Sequence, residues 1–224
     1  MYLVFFGFGF QSFSSSGAAG TSYLSFLAPG IMAFQAVMAG TVGGSMLWAD
    51  RRWGMLSQLL VGPFTRTEYL FGIMLTSLLF GLGGATVMLA LAAVLLRSTV
   101  ASWTGVVAIY GAIAVGSIFF GSLMLLISAK VKSNNAYNSI QVLLIFFVNF
   151  ASTVFYPSTP ALPLSLRVLF AANPLTYVAD TARAGYLGTL GVTNGYEMLG
   201  LVAATAVVLG LAIRAYLRSD VSTE

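Results

Sequence analysis

The chain contains no cysteine and no histidine, and only 7% of its 224 residues are charged. Without thiols or imidazoles it has no Cys/His zinc site, no thiol nucleophile, no imidazole acid–base group and no histidine haem ligand. The scarcity of charge excludes more. A soluble domain carries about 25% charged residues. Ten basic and six acidic side chains cannot cover a 23.6 kDa globule in water. Disorder, a disulfide scaffold and a soluble enzyme are excluded together. What is present is apolar: the hydrophobic fraction is 58% and the mean hydropathy +0.93. The chain is an integral membrane protein. Its net charge of +4 on so few ionisable groups is no nucleic-acid signature. Excess Lys and Arg in a membrane protein mark its cytoplasmic loops.

A phosphate-binding loop of the Gly-x-x-x-x-Gly-Lys-Ser/Thr type is also missing. The only lysines are Lys130 and Lys132, neither in a Gly-rich context. The chain therefore has no means of binding ATP in that manner.

Five stretches reach the roughly 20 apolar residues a membrane helix needs. They are Tyr23 to Trp48, Tyr69 to Leu96, Thr104 to Ser128, Tyr137 to Tyr156 and Tyr196 to Leu217. Met1 to Phe10 is apolar but too short, and it lacks the basic start of a signal peptide. It reads as the outer end of a truncated first span, followed by an external loop from Gln11 to Ser22; the alternative is an interfacial stub. Seven basic residues (Arg51, Arg52, Arg66, Lys130, Lys132, Arg214 and Arg218) fall on one side of the resulting topology. Three (Arg97, Arg167 and Arg183) fall on the other. The larger group belongs in the cytoplasm.

Polarity inside the spans is mild, with Gln35, Gln141 and Asn149 the strongest groups. No ionisable residue occupies the centre of a span, where ion-coupled carriers keep theirs, and no inverted repeat is visible. Both absences fit a transporter powered from outside the membrane. Small residues recur at four-residue spacing: Ala36, Gly40 and Gly44, then Ala112 and Gly116, and Ser117 and Gly121. Such stripes let helices approach closely, within a bundle or between subunits.

Two segments stand apart. From Asp50 to Leu70 the spacing predicts a short amphipathic helix with Trp53, Leu56 and Leu60 on one face and Leu59 beside them. Gly62-Pro63 ends it, and Thr65 to Glu68 reads as a capping box opening the next span. Between Pro157 and Gly195 the chain is broken by Pro157, Pro160 and Pro163. Leu164 to Ala172 reads as a short apolar helix. Asn173 reads as the cap of a second one with Pro174 in its first turn. Leu175, Val178, Ala179 and Ala182 lie on one side of it, and Asp180 and Arg183 are spaced to pair. Neither piece is long enough to cross, so both should dip into the outer leaflet and return.

These two segments resemble the membrane subunits of type-2 ABC exporters. The first carries Asp50, Arg51, Arg52, Gly54, Leu56, Leu59, Leu60, Pro63, Arg66 and Gly72 in the family's order. It has Asp50 where the family often has Glu, and Ile73 where it often has Lys. The second, Asn173-Pro174-Leu175-Thr176-Tyr177 through Asp180 to Arg183, resembles the family's Asn-Pro-Leu-x-Tyr…Arg signature. The resemblance implies an all-α six-helix permease bundle with its first span truncated, residues 1–224 forming a single transmembrane domain. It implies a cytoplasmic coupling helix in the first segment and two external re-entrant helices before the last span. It also implies a separate ATPase subunit that binds ATP, a homodimer or a heterodimer with a related permease, and surrounding membrane lipid. The membrane would be the plasma membrane of a bacterium or archaeon, and the cargo an amphipathic or lipid-like drug, lipid or glycan. An ion-coupled carrier or channel, and a membrane scaffold without transport, are the alternatives.

Overall fold

The computed structural model describes residues 23–96, 100, 102–159 and 162–218, and these contain helices and no strand. The expected first-span remnant and its loop lie outside the described residues. In chain order the helices are α1 (Tyr23–Arg52), α2 (Met55–Val61), α3 (Arg66–Leu96), α4 (Trp103–Lys130), α5 (Asn134–Phe150), α6 (Leu164–Ala172), α7 (Pro174–Leu187) and α8 (Val192–Leu217). Four of them, α1, α3, α4 and α8, are long and apolar enough to cross a membrane. The chain is a multi-pass membrane protein.

The bundle is built around α1 and α4, which pack on one another along the small-residue stripes. A Cβ on Gly40 would lie 2.5 Å from the Phe120 backbone, and one on Gly44 would lie 2.5 Å from the Met124 Cβ. A Cβ on Gly116 would come within 3.0 Å of the Ala36 Cβ. The stripes therefore form a seam within the protomer. Leu27, Met32, Ala36, Val37, Ala112, Ile113 and Phe120 fill the main core beside it, all at most 1% exposed. Helices α3 and α8 lie outside, with Phe71, Leu79, Val94, Leu199 and Val207 exposed as lipid-facing residues are.

Contacts at the helix ends agree with the charge-derived topology. The Arg51 guanidinium donates to the Ser128 carbonyl at 2.8 Å, joining the ends of α1 and α4. Arg66 donates to the Leu217 carbonyl at 3.3 Å, joining the start of α3 to the end of α8. Arg51, Arg66 and the C-terminal turns of α4 and α8 thus share one end of the bundle. Arg183 lies at the other, where it reaches the start of α1.

The span expected from Tyr137 to Tyr156 differs from its sequence reading. Helix α5 stops at Phe150, after 17 residues, and residues 151–156 form a turned segment instead of more helix. Side chains take over the backbone groups there. Ser152 Oγ donates to the Asn149 carbonyl, and the Asn173 amide donates to the carbonyls of Val148 at 2.7 Å and Ala151 at 2.8 Å. The buried turn packs on α1: a Cβ on Gly30 would sit 2.4 Å from the Val154 oxygen.

Candidate functional site

The segment from Asp50 to Arg66 is held by contacts to four helices. Helix α1 ends at Arg52, and Gly54 adopts φ 71°, a left-handed conformation that breaks the helix before α2 begins. Glycine enters this region without the Cβ strain of other L-residues. The break changes which residues share a face. Trp53 precedes α2 and is 78% exposed, whereas Leu56 is 2% exposed. The expected common face of Trp53 and Leu56 does not form, because the left-handed turn at Gly54 interrupts the helical spacing between them. Leu56 enters a small core with Leu47, Leu70, Met74, Leu125 and Tyr216, drawn from α1, α3, α4 and α8. Leu59 is half-buried, and the Leu60 side chain lies outside the described residues. The outward surface is Arg52, Trp53, Met55 and Val61.

The polar residues of the segment are similarly divided. Arg51 is buried at 6% exposure and points inward to Ser128. Asp50 accepts a hydrogen bond of 2.5 Å from the Tyr69 hydroxyl. Pro63 is exposed after the Gly62 cap. The capping box forms as expected: the Thr65 N–H donates to Glu68 Oε2 at 2.7 Å, and the Glu68 N–H donates to Thr65 Oγ1 at 3.3 Å. Gly72 lies on the exposed side of α3.

At the opposite end α6 and α7 have the positions read from the sequence. With 9 and 14 residues, both fall short of the roughly 20 needed to cross a bilayer. Asn173 joins three elements. Its Oδ1 accepts from the Leu175 N–H at 3.0 Å, capping α7, while its amide holds the end of α5. Pro174 occupies the first turn, and the Tyr177 hydroxyl donates to the Ala171 carbonyl at the end of α6. Leu175, Val178, Ala179 and Ala182 are fully buried. Arg183 pairs with Asp180 at 2.7 Å, lies 3.8 Å from the centre of the Phe26 ring and donates to the Thr153 carbonyl at 2.9 Å. Thr153 Oγ1 in turn donates to Asp180 at 2.8 Å. Burial lowers the Arg183 pKa, and the Asp180 carboxylate opposes that shift. The pair thus acts as a clamp on the buried turn.

Between these ends α1 and α5 enclose an apolar groove of about 340 Å³ lined by Phe34, Phe146, Asn149, Phe150 and Phe155 with two aliphatic side chains. Asn149 is 4% exposed; its amide donates to the Ile145 carbonyl, while Oδ1 has no hydrogen-bond partner among the described residues. A buried oxygen without a donor is unfavourable by about 1–3 kcal/mol. A polar ladder connects the same helices nearer the basic end. Trp48 Nε1 donates to Asn134 at 2.8 Å, Trp48 stacks on Tyr137 at 5.2 Å, and Ser45 donates to Gln141 at 3.3 Å. The spacing of Phe146, Asn149 and Phe150 already puts them on one helical face; Phe155, beyond the helix end, gave no such signal.

The family model for the ABC-2 type transporter matches residues 1–187. The chain belongs to the ABC-2 type transporter family. It is a transmembrane permease subunit, and such subunits are non-catalytic. ABC-2 type permeases pair with a nucleotide-binding ATPase subunit, consistent with the missing phosphate-binding loop. No group of three or more Asp, Glu, His or Cys suited to a metal occurs among the described residues of the permease. No curated protein matches the chain.

Proposed function

We propose that this permease exports an amphipathic or lipid-like solute, a drug, lipid or glycan carrying an apolar portion, through the groove between α1 and α5. The aromatic lining of the groove carries the reading. Its walls suit a hydrophobic body. An ion would find neither charge nor a ring of carbonyls there.

The energy comes from an ATPase subunit docked on the outward surface of Arg52, Trp53, Met55 and Val61. Asp50, Arg51, Gly54, Leu56, Leu59, Pro63 and Arg66 hold that surface in register with α1, α3, α4 and α8. A push on α2 then reaches the bundle through Leu56. This end faces the cytoplasm, by the excess of basic residues. Helices α6 and α7, with Asn173, Pro174, Tyr177, Asp180 and Arg183, form a re-entrant pair at the external end of a six-helix unit. Two such units, identical or related, make a transporter in the plasma membrane of a bacterium or archaeon.

The test uses proteoliposomes holding the permease with its ATPase subunit and a fluorescent lipid-like amphiphile. ATP-dependent movement should fall at least about tenfold in Phe146→Ala combined with Asn149→Leu, equivalent to 1.4 kcal/mol or more, while the ATPase subunit remains bound. Movement driven by a sodium or proton gradient without ATP overturns the reading.

A further inference from the structure

A second cavity lies at the basic end, between α1, α2 and α3, well apart from the α1/α5 groove. Its volume is about 610 Å³, within the range of pockets that hold small organic ligands. Met46, Leu59, Phe64 and Ile73 form apolar walls. The ionisable carboxylates on the lining are Asp50 and Glu68. Each uses one oxygen internally, Asp50 Oδ2 for Tyr69 and Glu68 Oε2 for Thr65.

Neither carboxylate takes part in a salt bridge among the described residues, where the salt bridge is Arg183–Asp180. Of the arginines nearby in sequence, Arg51 donates to the Ser128 carbonyl, Arg66 donates to that of Leu217, and Arg52 is exposed. At the most basic end of the molecule, therefore, one apolar cavity carries negative charge. Carboxylates beside apolar walls at a membrane surface attract a cation strongly only if the cation's body is also apolar, because a small hydrated ion gains nothing from the walls.

We propose that this cavity binds hydrophobic organic cations, with the positive centre beside Asp50 and Glu68 and the apolar body against Met46, Leu59, Phe64 and Ile73. The site is distinct from the export groove and does not depend on it. Gly72 supplies a steric handle. It lies on the lining, and a Cβ added there meets nothing within 4 Å. A leucine at 72 fills the cavity without disturbing the packing beneath.

The test uses the permease–ATPase complex in phosphatidylcholine nanodiscs, with empty nanodiscs as the partition control. The probes are tetraphenylphosphonium and tetraphenylborate, matched in size and opposite in charge. Saturable binding of the phosphonium alone is expected. Asp50→Asn with Glu68→Gln should weaken it at least about tenfold, the scale of losing one ionic contact at an interface. Asparagine keeps an acceptor for Tyr69, and Gly72→Leu, with both carboxylates intact, should weaken binding comparably. Val207→Ala, at an exposed position of α8 outside both cavities, should leave it within about twofold of the parent. Equal binding of the two probes, or undiminished phosphonium affinity in Gly72→Leu or the neutralised variant, overturns the proposal. Loss of export with phosphonium binding retained bears on the α1/α5 groove and leaves this site standing.

Discussion

Arg51 and Ser128 are joined across the ends of α1 and α4 by a 2.8 Å hydrogen bond from guanidinium to carbonyl. A cation at the C-terminus of a helix satisfies an otherwise unpaired carbonyl and complements the negative end of the helix dipole. Arg51 and Arg52, adjacent in sequence, therefore have different tasks.

Arg51→Ala should lower stability by about 1.5–3 kcal/mol, the range for a hydrogen bond to a charged group. Thermal melting of the purified permease measures it. Arg52→Ala, at an exposed position, should leave melting unchanged. It should weaken the ATPase subunit's binding at low salt more than at high salt.

Asn173→Asp isolates the amide's role. Aspartate caps a helix as well as asparagine does, so α7 keeps its first turn. The two bonds to Val148 and Ala151 are lost, at about 1 kcal/mol each, and a negative charge is placed against carbonyls. The variant should melt earlier and be cleaved faster by protease between residues 151 and 159.

The glycines divide by what surrounds them. A Cβ on Gly105 would lie 2.2 Å from the Gly185 oxygen, whereas one on Gly83 meets nothing within 4 Å. Gly105→Ala should destabilise by about 1–3 kcal/mol through overpacking. Gly83→Ala should stabilise by up to about 1 kcal/mol through helix propensity. Opposite shifts in the melting midpoint are the expected result.

Asp180 and Arg183 should be energetically coupled. Removing either leaves a partly buried charge without its partner, so each single alanine variant is destabilised. The double variant should fall short of their sum by about 1–2 kcal/mol. Additive values in a double-mutant cycle would show that the clamp contributes nothing as a pair.

Local chemistry made much of this readable from sequence. Thr65 with Glu68, and Asn173 with Pro174, announce helix starts through neighbouring backbone groups, and both starts are where the residues put them. The bounds of α6 were legible from Pro163 before it and Asn173 after it. What was hidden depends on distant residues. The end of α5 at Phe150 is set by Asn173, whose amide takes carbonyls that would otherwise continue the helix. The direction of Arg51 depends on where α4 ends. Trp53 and Leu56 have helical spacing, but one backbone angle at Gly54 separates them.

That angle has a consequence of its own. Nothing lies within 4 Å of where a Cβ on Gly54 would be, yet φ is 71°. Position 54 therefore discriminates by chirality and not by volume. A D-alanine fits the left-handed turn without strain, whereas L-alanine, the same atoms in mirror image, is disfavoured there by about 1–2 kcal/mol. The joint between the first described membrane helix and the short helix that follows it depends on the one residue type that has no hand.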